Sequence, residues 1–161
     1  MKKLLPVVLL FIIACSGGVK NDTPLPDSIQ SMVLQKVTQG QKADKAITEL
    51  HHKQVTDAKN YIGEYKGDKY DAKLYLTEYD NTDSAIADLD SMAGRIMNPH
   101  IGGQMGFQHV RQLPSLGDHV YMTLQGKRAH FFYVKGNGLY WLDVDPHMAM
   151  NSIKQLLGKT S

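Results

Sequence analysis

The chain has 161 residues, a formal net charge of +2 and 42% hydrophobic residues. This length predicts one domain, or one domain with a tail, that is large enough to bury a core without disulfide or metal staples. The composition excludes collagen-like and strongly disordered chains. The single cysteine excludes an intrachain disulfide and a Cys-based zinc site, which needs more than one thiolate.

The N-terminus predicts a secretory signal. Met1, Lys2 and Lys3 form a basic start, and residues 4–13 are an apolar run of about ten residues that only Pro6 interrupts. A permanent transmembrane helix needs about 20 apolar residues, so this run is too short to span a bilayer.

The apolar run ends in Ile-Ile-Ala-Cys at residues 12–15, which resembles the lipobox of bacterial lipoproteins. The resemblance is limited to residues 1–15. It implies that the thiol of Cys15 receives a diacylglycerol, that cleavage removes residues 1–14 as a signal peptide, and that the new N-terminus is acylated. More than one acyl chain on the same residue gives stable anchoring, where one chain is marginal. Ser16 follows in place of the aspartate that retains enteric lipoproteins at the inner membrane, which implies the outer membrane, facing the periplasm.

The net charge changes with this cleavage. Loss of Lys2 and Lys3 lowers Lys+Arg from 18 to 16, which equals the 16 Asp+Glu of the chain. A nucleic-acid-binding protein concentrates a basic surplus on one face, and the remaining lysines are dispersed. We therefore expect no nucleic-acid partner, and no cofactor besides the lipid on Cys15.

Residues 15–27 predict a lipidated cysteine and a flexible tether, because they are rich in Gly, Pro and small polar residues. Residues 28–161 then predict a single globular domain. Its first part shows apolar residues at helical spacing, which predicts helices at 28–38 and 41–52 on either side of Gly40.

The next segments alternate in type. Residues 54–79 predict a β-hairpin around the turn signal Lys66-Gly67-Asp68. Residues 82–97 carry an apolar stripe behind the cap candidates Asp80, Asn81 and Thr82, which predicts a helix that ends at Asn98-Pro99. A glycine-rich loop covers residues 98–106 and is a candidate contact loop.

The C-terminal part predicts four strands and a helix. The strands cover residues 107–113, 119–124, 129–134 and 139–144, and the short turns between them predict an antiparallel meander. Asp145-Pro146 predicts the start of a last helix, whose buried stripe is Met150, Ile153, Leu156 and Leu157, and Gly158 predicts its end. The fold class is therefore α+β, an antiparallel sheet of a hairpin plus a four-stranded meander with helices packed on one face.

The meander predicts one mixed sheet face. With simple hairpin registers, one face is apolar and the other combines imidazole, guanidinium and aromatic groups, with His109, Thr123 and His130 in one row. Such groups dominate binding hot spots, so this face is the candidate surface for a partner or ligand. Its candidate residues are His109, Arg111, His119, Tyr121, His130 and Tyr140.

Two other functions have weaker support. Seven histidines and a methionine-rich body favour copper or zinc binding in an envelope protein, with His109, His130 and His147 as weak candidate ligands. Strands are about 4.8 Å apart, however, so His109 and His130 would be too far apart to share one ion easily. No nucleophile-elbow, P-loop or Ser-x-x-Lys motif is placed for catalysis, and a hydrolase would have to use scattered residues.

The sequence therefore predicts a membrane-anchored periplasmic lipoprotein with a non-catalytic binding or envelope-assembly role, whose partners are the membrane and an envelope protein. A periplasmic metal-binding lipoprotein and an unrecognised hydrolase are the alternatives.

Overall fold

The computed structural model describes residues 22–51, 58–98, 100 and 106–159. The signal segment, Cys15 and most of the tether lie outside these residues. Within the described residues the chain forms one eight-stranded antiparallel sheet and three helices. The elements in chain order are β1 (Ser28–Ile29), β2 (Met32–Gln39), α1 (Gln41–His51), β3 (Lys59–Lys66), β4 (Asp71–Glu78), α2 (Thr82–Met97), β5 (Phe107–Gln112), β6 (Val120–Gln125), β7 (Arg128–Lys135), β8 (Gly138–Val144) and α3 (Ala149–Leu157).

The sheet order is β1-β2-β3-β4-β8-β7-β6-β5, with every neighbouring pair antiparallel. The predicted α+β class, the hairpin and the four-stranded meander are confirmed. The hairpin and the meander join through β4 and β8, so the last strand of the meander lies in the middle of the sheet.

The helices cover both faces of the sheet, and the prediction that they pack on one face was wrong. α1 and α2 pack over Ile62, Phe132 and Trp141, and we call this side the α2 face. α3 packs on the opposite side, over Phe131 and Leu142, which we call the α3 face. Central strands β7 and β8 are apolar on both faces, and burial of both requires a helical layer on each side.

The prediction of a helix at residues 28–38 was also wrong, because this segment forms β1 and β2. Met32 and Leu34 are buried with Val33 exposed between them, which is the two-residue period of a strand. A bulge between Leu34 and Lys36 then shifts the alternation, and the resulting spacing to Val37 imitates a helical pattern. The neighbouring prediction at 41–52 agrees with α1.

The domain begins before residue 28. Leu25 is buried in the core under the α3 face, and the Tyr65 hydroxyl donates a 3.0 Å hydrogen bond to the Pro26 carbonyl. Residues 25 and 26 therefore pack against the domain, although the sequence places them in the tether.

The two later helices follow their predicted signals closely. α2 spans the predicted residues, and Asn81 caps it by accepting a 2.9 Å hydrogen bond from the Ser84 amide. α3 begins at Ala149, later than predicted, because Asp145 accepts a hydrogen bond from the His147 amide and holds a turn. Gly158 ends α3 in the left-handed conformation with φ of 74°.

Candidate functional site

A cleft of about 340 Å³ opens on the α2 face beside the C-terminal end of α1. Its floor is the sheet, where β4, β8 and β7 lie side by side. One wall comes from α1, and another comes from the edge strand β5 and its neighbour β6. The described residues that line it are Glu49, Leu50, Tyr75, Phe107, Gln125, His130, Trp141 and Asp143.

The strand register determines which floor residues meet. Tyr75 of β4 lies directly opposite Trp141 of β8, and His130 of β7 lies directly opposite Asp143 of β8. Directly paired residues share a sheet face, so all four side chains are on the α2 face. α1 reaches the same place because its residues Ala43 and Ile47 pack on β3.

His130 is a buried, neutral histidine at the bottom of this cleft. Its side chain is 4% exposed, and its Nδ1 accepts a 3.1 Å hydrogen bond from the indole N–H of Trp141. Burial lowers the pKa of His130 below 6.5, with Asp143 opposing this shift and Arg128 adding to it. The bond to Nδ1 assigns the proton of the neutral ring to Nε2.

That Nε2 proton has no hydrogen-bond partner among the described residues, although the atom is buried. A buried, unpaired donor costs about 1–3 kcal/mol of folding free energy. Functional sites are one place where such a cost is retained.

Aromatic side chains from the floor and the β5 side line much of the cleft, and we call Tyr75, Phe107 and Trp141 together its aromatic wall. The Trp141 ring centroid lies 4.5 Å from that of Phe132, 5.9 Å from that of Phe107 and 6.0 Å from that of Tyr75. The interplanar angles of these contacts range from 49° to 63°, which are tilted or edge-on arrangements that favour ring packing. The cleft therefore presents an aromatic surface.

A row of charged residues crosses the sheet next to the cleft. Successive strands pair Lys36 with Glu64, Glu64 with Lys73, and Lys73 with Asp143. The sign of the charge alternates along the row, and the Nζ of Lys36 lies 3.1 Å from a carboxylate oxygen of Glu64. The last member, Asp143, also lines the cleft.

Arg128 holds this end of the row in place. Its guanidinium contacts the carboxylates of Asp143 and Asp71 at 2.5 Å each. Arg128 therefore offsets part of the negative charge of Asp143. Glu49, in contrast, is exposed on α1.

The structure separates the predicted mixed face. His130 and Tyr121 lie on the α2 face, and His119 is next to α2, with Nδ1 3.9 Å from a carboxylate oxygen of Asp90. Tyr140 lies on the opposite, α3 face, stacked on Tyr133 with centroids 4.9 Å apart. The prediction that these residues share one face was wrong.

Turn geometry explains why the side chains of β8 lie on the faces opposite to those predicted. The turn at residues 136–137 pairs Lys135 with Gly138, so Trp141 lies opposite Phe132 and Leu142 opposite Phe131. A one-residue difference in register reverses the face of every side chain in a strand.

A bulge in β5 breaks the predicted row of His109, Thr123 and His130. Thr123 does pair with His130, but His109 sits in the bulge with φ of 55° and is exposed. After the bulge Arg111 pairs with Met122 on the α3 face, and its guanidinium lies 3.7 Å from the Met122 sulfur. Arg111 is thus on the opposite face from His130 too.

Metal ligands are not grouped in the described part of the chain: no three His, Cys, Asp or Glu side chains there are arranged to hold an ion. The weak candidate His147 lies beside Tyr70, with ring centroids 6.4 Å apart. The candidate loop 98–106 is described only at residues 98, 100 and 106.

Sequence reasoning missed most of the cleft. Of the residues that line it, the candidate surface predicted from the sequence includes only His130. The available signal was the polar residues inside strands, since Glu64, Lys73 and Asp143 all alternate with apolar neighbours. Which strands those residues would join could not be inferred without the register.

Comparisons with protein families, with curated proteins and with solved structures give no significant match to this chain. None of the helices formed by the described residues has the length and apolar character needed to cross a membrane.

Proposed function

We propose that this chain is a membrane-anchored lipoprotein of the bacterial envelope whose domain has a non-catalytic binding role, and that the cleft on the α2 face is the binding site. The observation that carries the binding role is the cleft itself. It combines an aromatic wall with the carboxylates of Glu49 and Asp143.

Pockets that bind small molecules are largely apolar with a few placed polar groups. The cleft fits this description, because Tyr75, Phe107 and Trp141 supply the apolar surface and Glu49 and Asp143 supply the polar ends. Its volume of about 340 Å³ is at the small end of the ligand-pocket range of roughly 300–1,000 Å³. The proposed ligand is therefore small.

The anchor rests on the sequence of residues 1–15. We expect metabolic labelling with a palmitate analogue to mark the full-length chain expressed in a Gram-negative-type bacterium, because acyl chains are added at Cys15. Cys15→Ser removes the acceptor thiol, so the variant should lose the label and leave the membrane fraction. Equal labelling of the variant would contradict the anchor.

The binding role is tested by thermal unfolding with a small-molecule extract of the bacterial envelope. A ligand that binds only the folded state raises the melting temperature, and the rise becomes larger as the ligand concentration increases. Gln125 is exposed at the end of β6 and lines the cleft, so Gln125→Arg should fill the opening and abolish the rise.

Gln39→Arg is the matched control, since Gln39 is exposed at the end of β2 and does not line the cleft. We expect it to keep the full rise. An equal rise in both variants would place binding elsewhere, and no rise with any fraction of the extract would contradict the binding role.

A further inference from the structure

The charge distribution around the cleft favours a positively charged ligand. Among the described residues that line it, Glu49 and Asp143 are acidic and none is lysine or arginine. The negative charge of Asp143 is offset by its ion pair with Arg128 and by Lys73 on the neighbouring strand, so Asp143 contributes little net negative potential. Among the described residues no ion pair of this kind involves Glu49, and Glu49 is exposed.

The aromatic wall also attracts cations. The faces of Trp, Tyr and Phe rings carry negative potential, and ammonium groups bind over them. Tyr75 and Trp141 meet at 49° with centroids 6.0 Å apart, and Phe107 meets Trp141 at 52°. Since His130 is held neutral beside them, it does not repel a positive charge.

We infer that the cleft binds a small organic cation, an alkylammonium group on a compact apolar body, seated on the wall of Tyr75, Phe107 and Trp141 and facing Glu49. This inference rests on the proposed function and names the ligand class of the same site. The His130 Nε2 atom is closed to solvent, so ligand contact is assigned to the ring faces and to the carboxylates.

Trp141 provides the assay, because it is the single tryptophan of the chain and lies in the cleft wall. Its fluorescence is titrated in the full-length chain with choline, with the neutral isostere 3,3-dimethylbutanol and with the anionic analogue 3,3-dimethylbutyrate. We expect choline to bind about tenfold more tightly than the neutral isostere, from cation–π attraction, and the anion to bind most weakly. Equal affinities for choline and the isostere, or preference for the anion, would overturn the inference.

Glu49→Gln tests the carboxylate. We expect it to weaken choline binding about threefold and to leave the neutral isostere unchanged, because an exposed charge pair contributes little. Asp118→Asn, in the exposed turn before β6, removes the same charge far from the cleft end of that strand and should change neither affinity. Loss of choline binding in both variants to the same degree would count against a local role for Glu49.

Phosphatidylcholine vesicles distinguish the source of the cation. Competition with choline assigns the site to a lipid headgroup, and absence of competition assigns it to a free small molecule; both keep the cation class. If the envelope extract stabilises the chain through the cleft but choline has no preference over its isostere, the cation class is wrong and the binding role stands. If neither acts on the cleft, both are wrong.

Discussion

His130 lies in an unusual environment for a histidine, because it is buried and has a lowered pKa. It is an imidazole on the α2 face of the sheet, where Nδ1 accepts a hydrogen bond from Trp141 and Nε2 has no partner among the described residues. Among the described residues, the charged groups near it are Asp143 on β8, Arg128 on β7 and Glu49 on α1, and the cleft residues of β5 and β6 are uncharged. Neutral His130 is therefore part of the folded state.

This burial predicts a dependence of stability on pH. The pKa of His130 is lower in the folded chain than its usual 6.5, so the unfolded chain takes up a proton first as the pH falls. The stabilisation is complete above about pH 7 and is lost as the pH falls through 6.5 toward the lower folded value, by up to about 1.4 kcal/mol per pH unit.

Denaturant unfolding from pH 7.5 to 5 checks this dependence. We expect the free energy of unfolding of His130→Asn to fall less steeply than that of the unmodified chain, because the variant has no imidazole to protonate at this position. His147→Asn, which changes an exposed histidine, is the control and should keep the steep dependence. Parallel curves for the unmodified chain and His130→Asn would contradict a buried neutral imidazole.

Among the helices, α3 buries a set of residues that differs from the apolar stripe predicted from the sequence. Ile153 is completely buried under the α3 face, whereas Met150 is 43% exposed although the sequence pattern places it on the buried side. The late start at Ala149 does not change the helical spacing. Besides Ile153, the buried residues of α3 are Ala149, Ser152 and Leu156, and Met150 is not among them.

Alanine substitution measures this difference. Ile153→Ala should lower the free energy of unfolding by about 2–5 kcal/mol, because it leaves a cavity in the core. Met150→Ala should change it by less than about 0.5 kcal/mol, as is usual for surface positions. Comparable losses of unfolding free energy for the two variants in urea unfolding would show that α3 buries Met150 as well, as the sequence pattern predicts.

Local signals predicted most of the elements. The caps of α2, the turns of the meander and Gly158 gave bounds close to those observed, because turn and cap chemistry acts over a few residues. The helix prediction for residues 28–38 was wrong because a bulge interrupts the two-residue period of β2. The predicted faces of β8 and the predicted pairing of His109 were wrong because strand pairing depends on residues that are distant in sequence.

The candidate site depended on those distant pairings. His130, Tyr121 and Thr123 were placed together correctly, but Trp141 and Asp143 were not placed beside them. Glu49 could not have been included, because it reaches the cleft only through the packing of α1 on β3. The proposed lipid anchor, in contrast, rests on a contiguous motif at residues 12–15, which can be read without knowledge of the fold.

For the whole molecule, the central claim is that the domain binds its ligand in the cleft of the α2 face. The indole N–H of Trp141 gives one resonance in an ¹⁵N-correlated NMR spectrum, because the chain has one tryptophan. That proton is bonded to His130 in the cleft floor, so its chemical shift reports directly on occupancy.

We predict that the extract fraction that raises the melting temperature shifts this resonance in a saturable manner, and that Gln125→Arg abolishes the shift while Gln39→Arg keeps it. An unchanged indole resonance, with backbone resonances shifting elsewhere in the same titration, would contradict the claim.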